Sequence, residues 1–176
     1  MHVRFVFALL SVVLLASCAT MRPADFADGG PRLAPETFFV GRTRSFGVVE
    51  ARSGRPWKRI TTQTTGVMKA GVLYIEQDLQ SEDSKPSHRS WQIRTVDAHH
   101  ADATANDIAG TAHGTYYGNT LMWSFTLKRK PGNPLQNVRM SQAMYLAPDG
   151  QTLIIRSIIR KFGIIVAEVT EQFRKE

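Results

Sequence analysis

From residue 38 onward the chain alternates between apolar and polar positions. Short segments rich in Val, Ile, Thr and aromatic residues are separated by clusters of Gly, Pro, Asn, Asp or Ser. No convincing amphipathic helix appears in this stretch. The pattern predicts strands at 38–51, 57–67, 72–81, 88–97, 99–105, 109–117, 120–128, 137–147, 152–162 and 164–174. Almost all the breaks are shorter than the dozen or more residues a parallel crossover needs. The expected fold is all-β: an antiparallel meander of eight to ten strands. A sheet of that size curls, and closing into a β-barrel removes its exposed edges.

The segment around Gly118-Asn119 makes this expectation specific. A two-residue turn there pairs Thr115 with Met122, Gly114 with Trp123 and His113 with Ser124. One face then carries Ala112, Gly114, Tyr116, Leu121, Trp123, Phe125 and Leu127. The other carries Thr111, His113, Thr115, Met122, Ser124 and Thr126. Such alternation implies one wet and one buried face, and the apolar face is taken as the barrel lining.

Ahead of the alternating region the pattern changes. A short basic start, Met1 to Arg4, precedes an apolar run from Phe5 to Ala16. Twelve helical residues span about 18 Å, too little for a ~30 Å hydrocarbon core, so the run reads as a signal-peptide core. It ends in Leu15-Ala16-Ser17-Cys18, which resembles a bacterial lipobox. Cleavage would leave Cys18 as a lipidated N-terminus, and Ala19 after it resembles the sorting pattern of outer-membrane lipoproteins. Residues 18–37 hold Pro23, Pro31, Pro35 and Gly29-Gly30 without sustained periodicity, the composition of a tether. The expected organisation is a signal peptide at 1–17, a lipidated cysteine and tether at 18–37, and a single barrel domain at 38–176.

Composition limits the alternatives. Of 176 residues, 43% are hydrophobic and 21% charged, ordinary for one globular domain and unlike a disordered chain. Cys18 is the single cysteine, which excludes an internal disulfide. The formal charge is +7, and removal of residues 1–17 leaves +6. A surface of this sign is attracted to anionic lipid head groups. No nucleic-acid-binding motif is present, and an exported protein is not expected to meet nucleic acid.

Three segments carry a family resemblance. They are Phe38-Phe39-Val40-Gly41-Arg42-Thr43 with Phe46 to Val49, Gly110 to Gly114 with Gly118 to Trp123, and Met144-Tyr145-Leu146 through Asp149-Gly150 to Ser157 and Lys161-Phe162-Gly163. Together they resemble a family of small Gram-negative lipoproteins catalogued as a domain of unknown function. The resemblance covers about residues 38–174. It implies a lipocalin-like barrel and an envelope location, with no established activity. Family members often carry an Asp-Trp pair where this chain has Gln142-Ala143.

Candidate functional residues follow from the strand faces. Residues 152–162 place Ile154, Arg156, Ile158 and Arg160 on one side, and pairing through Phe162-Gly163 sets Ala167, Val169, Glu171 and Phe173 beside them. Arg156 is then expected inside, able to hold a fatty-acid carboxylate; the alternatives are a structural pair with Glu171 or an arginine facing solvent. Trp57, Trp91 and Trp123, with Tyr74, Tyr116 and Phe125, either line a lipid cavity or fill the core. His100 and Asp102 share a face, and a tight turn at Asn106-Asp107 would set His100 opposite His113. That set falls short of a four-ligand zinc site. Glu76 and Asp78 share a face, with Glu82 and Asp83 nearby. No G-x-S-x-G elbow or phosphate-cradling loop is present, so neither catalytic residues nor a cofactor are expected.

The leading expectation is an outer-membrane-anchored, periplasm-facing, non-catalytic module that binds a small hydrophobic or lipid-like ligand. The alternatives are a filled barrel with a structural or assembly role, and an enzyme acting on a lipid-like substrate.

Overall fold

The computed structural model describes residues 21–82 and 84–176. The expected signal peptide, Cys18 and Asp83 lie outside the described residues. Ten strands follow in chain order: β1 (Gly41–Ala51), β2 (Pro56–Lys69), β3 (Val72–Ser81), β4 (Ser87–Thr95), β5 (His100–Ala105), β6 (Ile108–Tyr117), β7 (Thr120–Leu127), β8 (Val138–Leu146), β9 (Thr152–Lys161) and β10 (Ile164–Lys175). Each pairs antiparallel with its sequence neighbour. β10 returns to β1, so the sheet closes without a free edge.

The closed meander matches the sequence expectation. The Gly118-Asn119 hairpin has the predicted register, with Gly114 opposite Trp123 and Thr115 opposite Met122. Its apolar face is the lining: Ala112, Gly114, Tyr116, Leu121, Trp123 and Phe125 are buried.

Residues 22–39, expected as a tether up to 37 and as the start of the first strand at 38–39, are instead a strap that seals one end of the barrel. The strap holds a 3-10 turn at Pro23–Phe26 and a helical turn at Pro35–Phe38. Leu33 donates its backbone N–H to Gly118 O at 2.8 Å. Leu33, Phe38 and Phe39 are buried in the barrel core, and Phe39 meets Phe173 edge-on at 6.1 Å. Burying each such side chain contributes about 1.5–3 kcal/mol. Gly66 makes the crossing possible, because a Cβ there would run into the Phe39 carbonyl oxygen. Flexible composition did not prevent docking, because Leu33, Phe38 and Phe39 bury apolar surface while backbone hydrogen bonds such as that of Leu33 tie the segment to the barrel end.

Candidate functional site

The interior has two chemically different halves. β5 and β6 contribute only Ala101, Ala103, Ala112 and Gly114 at the middle levels, and these small residues leave room above them. Trp91 from β4 and Trp123 from β7 meet across that room, stacked at 5.2 Å between centroids and 15° between planes. Phe125 packs edge-on to Trp91 at 5.3 Å. Each indole N–H is tied: Trp91 donates to Gln77 Oε1 at 2.9 Å and Trp123 to Gln142 Oε1 at 2.7 Å. Gln142 in turn donates to Ser157 Oγ at 2.9 Å. Gln142 occupies the place where the resembled family often has aspartate, and here it anchors an indole.

The other half is built from hydroxyls around one carboxyl group. β1 and β2 turn Thr43, Ser45, Gly47, Thr62 and Thr64 inward. Ser45 and Thr62 donate to Glu171 Oε1 at 3.0 and 3.2 Å. Among the described residues, Glu171 Oε2 receives no protein donor within hydrogen-bond distance. Glu171 keeps intermediate accessibility because it lines the cavity. Protein surrounds its carboxyl group, and this burial pushes its pKa up, against the lowering effect of the Ser45 and Thr62 hydroxyls and of Arg89.

Between the halves lies an interior cavity with about 50 Å³ open to water centres, bordered by Phe39, Ile75, Trp91, Trp123, Met144 and Glu171 among others. A single water needs roughly 10–15 Å³ by this measure, so the space suits a few waters or one small group. Arg89 also lines it. Its guanidinium bonds Asp107 at 2.8 Å and lies 5.6 Å from the centre of the Trp91 ring. Its charge is thus already partnered.

The sequence-based candidates divide. Trp91, Trp123, Tyr116 and Phe125 face inward, although Tyr116 sits by the strap and donates its hydroxyl to Asp97 O. Trp57 is 63% exposed at the opposite end. Arg156, expected inside, is on the outer wall, paired with Glu168 at 2.7 Å. The cause is a bulge in β10 between Ile165 and Ala167. It shifts the register by one residue, so Arg156 faces Thr170 and turns outward while Glu171 keeps the interior.

The register that pairs the histidines also differs from expectation. An irregularity in β6 between Ala109 and His113, where Gly110 has φ +71°, moves the register by two residues and preserves the faces. His113 therefore lies opposite Asp102, with Nδ1 and Oδ1 2.7 Å apart, and not opposite His100. His100 turns to Asp97 at 2.8 Å. All three residues belong to the outer wall, and the His113 side chain is 77% exposed. Among the described residues, no group of three or more potential metal ligands forms.

One outer-wall cluster went unrecognised in the sequence. Glu76 and Asp78 do share a face, and His88 on the next strand is clamped between them, 2.7 Å from each. The hydrogen bond to Asp78, then that to Glu76, raises the His88 pKa. Cross-strand pairing of Asp78 with His88 creates the clamp, and only the register of two separate strands reveals it.

The chain belongs to the family described as "Protein of unknown function (DUF3833)", which matches residues 12–175. No curated protein matches it by sequence. Among solved structures, it is similar to the S-type phycobiliprotein lyase CPES from Guillardia theta, at 10% identity and TM-score 0.60, over 89% of this chain and 99% of that one. It is also similar to Rv2717c from M. tuberculosis, at 15% identity and TM-score 0.58, over 82% and 99% of the two chains. These likenesses establish a shared lipocalin-like barrel.

Proposed function

We propose that this protein is a lipid-anchored envelope module that binds a small amphipathic molecule inside its barrel without chemical conversion. Cys18 carries the anchor, at the outer membrane and facing the periplasm. The observation that supports binding is the pairing of a buried, incompletely satisfied carboxyl group with an amide-anchored indole stack around unfilled space. A ligand places its apolar body on Trp91 and Trp123 and a hydroxyl, amide or ammonium donor on Glu171. A donor-bearing head group suits this interior better than a fatty-acid carboxylate, because the interior arginine is already paired with Asp107. The CPES structure, which shares this fold, is named as a phycobiliprotein lyase. Native mass spectrometry of protein purified from envelopes tests the reading, with indole fluorescence during titration with a short-chain amine. A co-purifying small molecule and saturable quenching support it; their joint absence overturns it. Palmitate labelling lost in Cys18→Ala tests the anchor.

A second reading rests on the cavity size. About 50 Å³ is far below the ~300 Å³ of pockets that enclose drug-sized ligands. A filled barrel acting through its outer surface is consistent with that volume.

A further inference from the structure

The strap closes one end of the barrel; the other end is bounded by the turns and loops at 51–58, 82–86, 106–107, 128–137 and 160–164. These segments hold nine Lys or Arg against three Asp or Glu. Of the acids, Glu82 is paired with Arg59 and Asp107 with Arg89. The turns at the sealed end show no such excess: Lys69 stands against Asp97 and Asp149. The positive charge of the chain is therefore gathered around the end opposite the strap.

The same rim is apolar. Phe162 is 78% exposed, Leu135 72%, Trp57 63% and Ile164 54%. Two of these carry a cation on the ring: Lys58 Nζ lies 5.2 Å from the Trp57 ring centre and Lys161 Nζ 5.6 Å from that of Phe162. A groove beside the rim runs between Trp57, Arg129, Val138 and Val166. Interleaved aromatic, aliphatic and cationic side chains are the chemistry of a membrane interface. The rings sit at head-group depth while ammonium and guanidinium groups meet lipid phosphates. A nucleic acid would use the cations but give Leu135 and Ile164 nothing to bury against.

We propose that the end of this barrel opposite the strap docks on an anionic lipid bilayer. Trp57, Phe162 and Leu135 enter the interface, and the surrounding lysines and arginines hold the surface. The docking goes beyond the binding reading and does not depend on it, because the rim lies outside the cavity.

Trp57 is its own reporter, since Trp91 and Trp123 are only 5% and 8% exposed. The full chain is reconstituted with vesicles of brominated phosphatidylcholine containing about a third phosphatidylglycerol, a charge density in the range that attracts polybasic surfaces. The Trp57 signal is taken as the difference from Trp57→Phe. The expected result is a blue-shifted, strongly quenched Trp57 emission. It is lost in pure phosphatidylcholine and in about 1 M NaCl, where the screening length falls to about 3 Å. Reversing the exposed cations in Lys128→Glu/Arg129→Glu/Lys130→Glu lowers docking by roughly fivefold or more per cation. Trp57 emission that stays unquenched overturns the proposal, whether or not the protein remains with the vesicles. Equal quenching in neutral vesicles also overturns it, as does an equal blue shift with heparin in place of vesicles.

Discussion

Gly47 lies directly opposite Glu171 on the neighbouring strand, and a Cβ at position 47 would collide with Glu171 Cγ and come within 2.7 Å of the Thr170 carbonyl oxygen. The missing side chain is what admits a carboxyl group to the wall between Ser45 and Thr62. Gly47→Ala should therefore destabilise the barrel by about 1–3 kcal/mol, the usual cost of overpacking. Glu171→Ala should relieve part of that cost, so the double variant should be more stable than the sum of the singles predicts. Chemical denaturation of the four proteins measures the difference.

Glu171→Gln should stabilise the protein, and more so as pH rises. The folded pKa of Glu171 is raised by burial, so the native state prefers the protonated carboxyl group. The favourable contribution is complete below the ordinary value of 4.5 and is lost as pH rises through the folded value. Glutamine is neutral throughout and keeps an acceptor for Ser45 and Thr62. Melting temperatures across pH 4 to about 8 should diverge in favour of the variant. Parallel curves would show that Glu171 titrates as it does in the unfolded chain.

Gln142→Leu should cost about 2–4 kcal/mol, because it strands both the Trp123 N–H and the Ser157 hydroxyl in the interior. Near-ultraviolet circular dichroism should change as well, since Trp123 would lose its anchor within the indole stack. Gln142→Glu, which retains an acceptor, should disturb the dichroism less.

Gly66→Ala should displace the strap. The new methyl group meets the Phe39 backbone, which cannot move without unseating Phe38 and Leu33. The expected loss is about 1–3 kcal/mol, accompanied by faster amide exchange at Leu33. Unchanged exchange there would mean that the sealed end does not depend on this close approach.

His88 should titrate above its ordinary value of 6.5, because Asp78 first and Glu76 next hold its protonated form. Any stability the clamp contributes is fully present below 6.5 and disappears as pH rises through the folded value. Glu76 titrates below its ordinary 4.5, owing first to the Ser90 hydroxyl and then to His88. Its contribution is lost as pH falls through that lowered value. Imidazole carbon-bound proton shifts followed by NMR test this, and Asp78→Asn should bring the His88 midpoint down.

Alternation and punctuation in the sequence were enough to determine a closed antiparallel barrel with Trp91, Trp123, Tyr116 and Phe125 turned inward. A two-residue period and short turns are local properties, and the 118–119 hairpin register follows from them alone. Local pattern could not reveal that residues 22–39 form a plug, because their docking depends on Gly66 and Gly118, distant in sequence. It also could not decide which face of β9 looks inward. One extra residue in β10 separates Arg156 from Glu171, which unbroken alternation puts on one face, sending Arg156 outward while Glu171 stays inside, and a bulge leaves no mark in strand periodicity. The charge of the cavity, carboxyl and not guanidinium, was settled by that single-residue shift and by the space Gly47 leaves across the barrel seam.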